Sequence, residues 1–278
     1  MLTRPTLLTC LLTLLIAAPL ALHELARTPI EPRAPSHTVE SRLDGFGPSA
    51  RARLAAPFSR AGVPYPPARV RLAAFKAEGR LELFAAAGPG GAGDAALRFI
   101  KSYRMTAGPL PVAQAPKGPK RRAGDRRVPE GLYRLHTLNP NSVAHVSIRI
   151  GYPNRFDRAR AEAEGRAPES LGDAIMLHGG GPSGTEGCLA LADREMEELF
   201  TLLADARADA ARRGDTAPAD ILIAPRDFRT ASLDHAALEA MTDGAPWTAR
   251  LHREIDRSLA ALPTADPAAR YRAWLAAD

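Results

Sequence analysis

One glycine-rich stretch, residues 174–193, organises the chain: Ala174-Ile-Met-Leu-His-Gly-Gly-Gly-Pro-Ser-Gly-Thr-Glu-Gly-Cys-Leu-Ala-Leu-Ala-Asp193. Its first four residues are apolar and predict a short buried strand that ends at His178. The glycines, proline and hydroxyl residues that follow predict a loop that ends at Cys188. Asp193 is a typical cap for the helix that comes next. Because glycine lets a backbone fold back on itself, we expect the loop to bring His178 and Cys188 together.

A thiol and an imidazole at the two ends of one loop suit nucleophilic catalysis. A free cysteine has a pKa of ~8.5, so it is mostly protonated at neutral pH, and only the thiolate is a nucleophile. A neighbouring imidazole accepts that proton, and amides beside a glycine stabilise an oxyanion. We therefore interpret Cys188 as a nucleophile, His178 as its base, and Thr185 and Gly187 as orienting and oxyanion groups. Two other interpretations stay open, a cysteine that only packs and a histidine that is an ordinary surface group.

The same residues resemble the signature of a known family. His-Gly, a short loop, Thr-x-Gly-Cys and an apolar run that ends in aspartate are similar to the L,D-transpeptidase catalytic domain (YkuD) family. The resemblance implies that His178 is the general base, Cys188 the nucleophile and Thr185 the small hydroxyl residue. The loop is shorter than in most members, and Glu186 stands where most have histidine, so the chain is most similar to the YafK-like branch. Since a carboxylate beside a thiolate raises its pKa, we expect Glu186 to face solvent or to pair with an arginine.

Other segments resemble the same family and supply the predicted substrate contacts. Gly118-Pro-Lys120 lies in a basic loop, Tyr152-Pro-Asn154 is similar to a segment of the YafK-like branch, and Phe228-Arg229 resembles another. The resemblance implies that Lys120, Tyr152, Asn154 and Arg229 bind substrate. The alternatives are a solvated basic loop, a plain turn and an ordinary surface arginine.

Charge limits the class of partner. The formal net charge of the chain is +6 and its pI is near 9.7, which favours an anionic partner. The lysines and arginines are not interleaved with aromatic residues, so nucleic acid is not predicted as a partner. A membrane surface and a cell-wall polymer remain, and the family resemblance implies a peptidoglycan stem peptide and, in the YafK-like branch, a lipoprotein linked to it.

The N-terminal residues predict export. In residues 1–22, Arg4 precedes an apolar run from Leu7 to Leu22, which is typical of a signal peptide cleaved near Ala21. A spanning helix needs ~20 apolar residues and this run is shorter, although an uncleaved anchor stays open as the one membrane contact. We therefore expect a periplasmic protein. The mature chain would keep a single cysteine, Cys188, which excludes an internal disulfide and favours catalysis.

The remaining sequence divides the chain into segments. Residues 23–68 are rich in proline and predict a linker, 69–230 a catalytic domain, and 231–278 a C-terminal helical extension. Alternating residues predict a hairpin from Arg69 to Leu83 and further strands at 97–105, 132–136, 145–150 and 221–224. Helical spacing follows Asp193. The predicted fold class is α+β, with a mostly antiparallel sheet like that of an L,D-transpeptidase and with C-terminal helices.

The function predicted from these observations is that of an exported cysteine enzyme. It would act on peptidoglycan stem peptides through a thioester, by transpeptidation or by hydrolytic release of a linked protein. We predict no metal and no organic cofactor, because zinc needs three or four ligands and one cysteine with one histidine falls short. A papain-like enzyme has its cysteine well before its histidine, whereas here His178 precedes the one cysteine of the mature chain, Cys188. The alternative is a wall-binding module whose active site is vestigial.

Overall fold

The computed structural model describes residues 36–86, 96–111, 115–181, 183–229 and 246–263. The predicted signal peptide and, apart from residues 246–263, the C-terminal helical extension predicted for residues 231–278 lie outside these ranges. The described elements are α1 Val39–Ala61, β1 Arg69–Phe75, β2 Arg80–Ala86, β3 Arg98–Arg104, β4 Thr106–Ala107, β5 Gly131–Asn139, β6 Ser147–Ile150, α2 Arg155–Ala163, a 3₁₀ turn Pro168–Leu171, β7 Met176–His178, β8 Leu189–Ala190, α3 Asp193–Arg212, β9 Ala219–Ala224 and α4 Pro246–Ala260.

The strands of the described ranges form one mixed sheet in the order β3-β2-β1-β9-β5-β6-β7-β8-β4. The predicted hairpin is the β1–β2 pair, which is antiparallel with Arg69 opposite Ala86. Most neighbouring strands are antiparallel, and the parallel pairs are β1 with β9 and β7 with β8. The α+β class with a mostly antiparallel sheet is therefore confirmed.

The linker predicted for residues 23–68 is wrong for residues 39–61, which form the 23-residue helix α1. Thr38 caps its first turn through Ser41, and Gly62 ends it with φ at +64°. Pro48 and Pro57 lie inside the helix, where each removes one backbone donor. Burial of the apolar side chains that follow helical spacing, among them Leu54 and Phe58, outweighs that loss.

Helices cover both faces of the β1 region. Side chains alternate along a strand, so Leu72 and Ala74 face one side and Ala73 and Phe75 the other. The first pair packs in a core that includes α1 and α3. The second pair packs against α4, which places Leu251, Ile255 and Leu259 on the opposite face. Helix α4 lies within the segment 231–278, for which the sequence predicts a helical extension. Among the described residues, none of the helices has the length and apolar composition needed to span a membrane.

Helix α2 follows β6 and carries a buried carboxylate in its first turn. Asn154 caps it, and its third residue, Asp157, is only 8% exposed. One carboxylate oxygen of Asp157 accepts from the backbone amide of Asn154 at 2.8 Å, and the other accepts from the Tyr133 hydroxyl at 3.2 Å. Burial nevertheless prevails over these bonds and raises the pKa of Asp157 from 3.8 to about 6.

Asp157→Asn should therefore stabilise the protein at pH 8 relative to wild type. The folded pKa is above the unfolded value, so Asp157 lowers stability as pH rises through the window from 4 to 6. At about 1.4 kcal/mol per pKa unit, ionised Asp157 costs the fold ~2–3 kcal/mol above that window. Urea unfolding measures the free energy of unfolding of both proteins. The difference between variant and wild type should be about 2 kcal/mol larger at pH 8 than at pH 3.5. Asp173→Asn, at a site 66% exposed, is the control, and an equal gain there would contradict the prediction.

Candidate active site

His178 and Cys188 lie on one face of two neighbouring strands. In the parallel β7–β8 pair, Leu177 is opposite Leu189 and both are fully buried. Cys188 directly precedes Leu189, and His178 directly follows Leu177, so both point to the other face. Both side chains are half-buried on that face. The loop between them thus carries the chain from the end of β7 back to the start of the neighbouring strand β8, as the glycine content predicts.

The imidazole of His178 is oriented by backbone. Its Nδ1 is 2.6 Å from the carbonyl oxygen of Gly179. A carbonyl oxygen can only accept, so Nδ1 carries the proton in the neutral ring. The free lone pair is therefore on Nε2, which can act as a base.

The Cys188 thiol is held against the backbone of β7. The amide of Met176 donates to Sγ at 3.4 Å, and Sγ lies 3.8 Å from the carbonyl oxygen of Ala174. Burial raises the pKa of the Cys188 thiol, and the Met176 amide and the charge of Lys120 offset part of that effect. The resting group is thus a thiol, so an attack by this sulfur needs a base to take its proton.

Thr185 positions the backbone of Cys188, whereas the sequence suggested that it orients the imidazole of His178. Its buried hydroxyl donates to the carbonyl of Cys188 at 2.7 Å. Its own amide donates to the carbonyl of Gly108 at 2.9 Å, and the Gly108 amide donates to the same Cys188 carbonyl at 3.3 Å. The backbone carbonyl of Cys188 is therefore held by Thr185 of the loop and by Gly108, which follows β4. The imidazole of His178 is oriented by Gly179 instead.

Gly187 occupies a position that no larger residue fits. Its φ is +122°, and a Cβ atom would lie 2.7 Å from the carbonyl oxygen of Arg127. Glycine at this position lets the chain pass close to the Arg127 carbonyl directly before Cys188. Its predicted oxyanion role stays a prediction.

Asp193 does not cap α3, because it is the first residue of that helix and Ala192 precedes it. Its carboxylate accepts from the amide of Gly180 at 2.6 Å. Glu195 accepts from the amide of Ala192 at 3.3 Å and takes the predicted place in the first turn. Asp193 therefore ties the glycine loop to the helix that follows the nucleophile.

The expectation for Glu186 is confirmed. Its carboxylate pairs with Arg126 at 3.1 Å, and its side chain is 75% exposed. An exposed pair of this kind contributes little to stability. The carboxylate is thus directed into solvent and is neutralised by a cation.

Lys120 is not the exposed cation that the sequence predicts. It is 5% exposed, and its ammonium donates to Asp125 at 2.8 Å and to the carbonyl of Arg122 at 3.0 Å. Burial opposes ionisation of Asp125, but Lys120 and the amides of Arg121, Arg122 and Arg127 hold its pKa below the ordinary range. Lys120 therefore fixes the basic loop and acts on Cys188 through its charge.

Asn154 and Tyr152 differ in whether their side chains are hydrogen-bonded within the described part of the protein. The side-chain oxygen of Asn154 accepts from the backbone amide of Asp157 at 3.0 Å, and its side-chain nitrogen donates to the backbone carbonyl of Leu132 at 3.2 Å. Both ends of that side chain are thus bound within the protein, which argues against the predicted substrate contact. Tyr152 is 3% exposed, and within the described ranges its hydroxyl has no hydrogen-bond partner.

Arg229 is a buried structural residue and not the predicted substrate contact. Its guanidinium bonds to Asp227 at 2.8 Å and to Glu82 at 2.9 Å, and it lies 5.0 Å from the ring centre of Phe75. Its side chain is 7% exposed. Its Nε and Nη2 atoms are already bonded to two buried carboxylates, which gives Arg229 a structural role.

Three contributors to the site are absent from the sequence interpretation: Gly179, Met176 and Gly108. They act through backbone amides and carbonyls, which every residue has, so the residue type does not reveal the role. Only strand register could indicate them, and register depends on pairing that is remote in sequence. Among the described residues, no three histidine, cysteine or carboxylate side chains converge as a metal site.

Comparison with known proteins agrees with this geometry. Residues 97–218, which include His178 and Cys188, match the model of the L,D-transpeptidase catalytic domain (YkuD) family. YafK of Escherichia coli K12, named provisionally as an L,D-transpeptidase, is 34% identical over 91 residues, or 32% of this chain and 33% of that protein. The matched part thus spans about a third of this curated relative. YafK of Escherichia coli O157:H7 matches to the same extent.

Solved structures show a weaker likeness. The helical cell shape determining protein Pgp2 of Campylobacter jejuni is 19% identical, with a TM-score of 0.42 over 57% of this chain and 48% of that one. L,D-transpeptidase 1 of Mycobacterium tuberculosis is 10% identical, with a TM-score of 0.29 over 55% of this chain and 60% of that one. On the sequence match, residues 97–218 of this chain are similar to the L,D-transpeptidase catalytic domain (YkuD) family.

Proposed function

We propose that this protein is an exported cysteine enzyme that acts on the stem peptides of peptidoglycan. The observation that carries the proposal is the placement of His178 and Cys188 on one face of adjacent strands. The free Nε2 of His178 and the half-buried thiol supply the base and the nucleophile that acyl transfer needs. The family match supports the same class of reaction.

The proposed reaction starts with proton transfer from the Cys188 thiol to Nε2 of His178. The thiolate attacks a carbonyl at the L-centre of diaminopimelate, and the amides of Gly187 and Cys188 bind the oxyanion. The C–N bond then breaks, the imidazolium protonates the leaving amine, and the acyl group stays on sulfur as a thioester. Water resolves it to a free acid, or an amine resolves it to a new amide, and His178 returns to its neutral form.

Export is part of the proposal because peptidoglycan lies outside the cytoplasmic membrane. The N-terminal residues 1–22 have the composition of a signal peptide, and the family acts on a periplasmic substrate. An uncleaved N-terminal segment is the one membrane contact that this proposal includes.

Among the two outcomes, we favour hydrolysis or exchange at the link between peptidoglycan and a protein. The loop from His178 to Cys188 is short, and Thr185 and Asp193 hold both of its ends close to the sheet. Such a loop leaves one side of the cleft open to water and to a bulky leaving protein. It also offers little surface to hold a second stem peptide as acceptor.

The purified protein should therefore release protein-linked stem peptides faster than it joins two stems. The test is to incubate it with disaccharide tetrapeptides and with muropeptides that carry a lipoprotein-derived lysine, and to separate the products by chromatography. Accumulation of links between two diaminopimelate residues, with the lysine-linked stems unchanged, would show that it is a cross-linking transpeptidase instead.

A further inference from the structure

A pocket of about 320 Å³, the β4 pocket, lies where β4 meets the loop that follows it. Most of its lining is small and apolar, and includes Ala77, Ala107, Pro109, Val128 and Pro225. Pockets that bind small molecules are usually lined in this way, with a few polar groups that fix the orientation of the ligand. The β4 pocket therefore suits an apolar chain that carries one polar group.

The β4 pocket adjoins the nucleophile through strand register. In the antiparallel β4–β8 pair Ala107 is opposite Leu189, so one residue further along Gly108 is opposite Cys188. Gly108 lines the pocket, and its amide donates to the carbonyl of Cys188 at 3.3 Å. Opposite Cα atoms in antiparallel strands are about 4.5–5.5 Å apart, so one wall of the pocket lies next to the backbone of the nucleophile.

The β4 pocket and His178 lie on opposite sides of Cys188. In the sheet, β8 lies between β7, which ends at His178, and β4, which contributes Ala107 to the pocket. In the proposed reaction the imidazolium of His178 protonates the leaving amine, so the amine leaves on the β7 side. The acyl part of the substrate, which stays on sulfur, would then extend toward β4 and the pocket.

Arg226 brings a positive charge into the lining of the same pocket. It is half-buried, and within the described part of the chain its Nε atom is buried without a hydrogen-bond partner. Two other cations of the lining differ, because Lys76 bonds to Glu130 at 2.6 Å. Arg126 likewise pairs with Glu186 at 3.1 Å. A buried donor without an acceptor lowers stability, and a ligand carboxylate at Arg226 would relieve that.

Apolar walls and a guanidinium together suit an alkyl chain that ends in a carboxylate. Guanidinium binds a carboxylate through two parallel hydrogen bonds, whereas an amide offers one oxygen and no charge. In the proposed function the acyl donor is diaminopimelate. Its side chain is a short run of methylene groups that ends in a carbon with both an amino and a carboxyl group, so it matches the pocket in both respects.

We propose that the β4 pocket holds the side chain of the diaminopimelate residue that acylates Cys188, and that Arg226 binds the carboxylate at its end. The inference rests on the proposed function, because it takes the stem peptide as the acyl donor. It makes Arg226 a residue that determines specificity. A stem with lysine at this position, or with the side-chain carboxyl of diaminopimelate amidated, keeps the alkyl chain but loses the charge that Arg226 recognises.

Calorimetry on the Cys188→Ala protein measures binding without turnover. The ligands are disaccharide tetrapeptides with unmodified diaminopimelate, with its side-chain carboxyl amidated, with lysine in its place, or with the free carboxyl of the stem glutamate amidated instead. Arg226→Gln should weaken binding of the first and the last about tenfold, the usual loss for a hydrogen bond to a charged group. The other two ligands should bind the parent about tenfold more weakly than the first, and Arg226→Gln should not change their affinity.

Ala77→Leu tests the pocket independently of Arg226. Ala77 is an exposed lining residue in the turn between β1 and β2, so a larger side chain there fills part of the pocket and leaves the core as it is. It should weaken binding of the diaminopimelate and lysine ligands alike, by about tenfold, because both place an alkyl chain in the pocket. Unchanged affinity for both would overturn the proposal, even if Arg226→Gln proved too unstable to measure.

Two controls make the same changes elsewhere. Arg60→Gln and Ala52→Leu alter exposed residues of α1 and should leave every affinity unchanged. Arg226→Gln and Ala77→Leu should melt close to the temperature of their parent, because one loses a donor that has no described acceptor and the other changes an exposed position. An effect of Arg60→Gln equal to that of Arg226→Gln would indicate general electrostatic attraction and overturn the proposal.

The outcomes also distinguish this inference from the proposed function. If Arg226→Gln weakened all four ligands equally or none of them, or if the glutamate-amidated ligand were the insensitive one, the proposal for Arg226 would be wrong. Turnover of stem peptides by the wild-type protein would still leave the proposed function standing. Selective binding of diaminopimelate through Arg226, with a wild-type protein that converts no stem peptide, would overturn the enzyme function and support the subsite.

Discussion

Cys188→Ala should abolish turnover of stem peptides, and His178→Gln should lower it by about 10²–10⁴-fold. Alanine removes the atom that forms the thioester. Glutamine keeps much of the volume of the imidazole but provides no base, and burial has already raised the pKa of the thiol that must lose its proton. Single-turnover measurements with a disaccharide tetrapeptide, at saturating enzyme, report the acylation step directly.

Glu186→Gln is the matched control for these variants. Glu186 lies in the same loop, between Thr185 and Gly187, but its carboxylate is 75% exposed and pairs with Arg126. We expect its rate to stay within about twofold of wild type, since an exposed ion pair contributes little. Wild-type rates in the Cys188 variant would refute the mechanism, and unchanged wall binding by an inactive wild-type protein would favour the wall-binding module.

Arg229→Met should lower the free energy of unfolding by about 3–5 kcal/mol, because it leaves buried carboxylates with one cation fewer. Glu82 is fully buried and Asp227 nearly so, and Arg80 is the other guanidinium that pairs with both. Arg229 holds the pKa of Asp227 below its ordinary range against the effect of burial. Equilibrium unfolding in urea, monitored by circular dichroism, measures this loss.

Arg212→Met is the control for the stability measurement. Arg212 pairs with Asp209 on the surface of α3, and its side chain is 67% exposed. We expect a change within about 0.5 kcal/mol. If Arg229→Met proved as stable as wild type but raised KM for the stem peptide, Arg229 would bind substrate, as the sequence alone had suggested.

The strands and α3 could be predicted because their signals are local. Alternation along Arg69–Ala86 and helical spacing after Asp193 both depend on neighbours in sequence. Helix α1 could not, because Pro48 and Pro57 predict a break and only packing against α3 compensates for them. Arg51, for example, pairs with Asp205 at 2.8 Å, a contact between residues 154 positions apart.

The candidate site divides in the same way. The placement of His178 and Cys188 on neighbouring strands could be predicted, because one short glycine-rich loop connects them. The roles of Lys120, Asn154 and Arg229 could not, because a sequence shows a charge or an amide but not the internal partner that occupies it. For Arg229 those partners are Glu82 and Asp227, one of them 147 residues away.

The half-buried position of Cys188 also bears on how long the protein survives in its proposed compartment. Peroxides and other oxidants attack thiolates, and they convert an exposed thiolate in steps to sulfenic and sulfinic acids. Because burial raises the pKa of this thiol, Cys188 spends little time as a thiolate until a base takes its proton. A thiol that is mostly protonated reacts slowly with such oxidants, so the resting Cys188 is protected chemically from them.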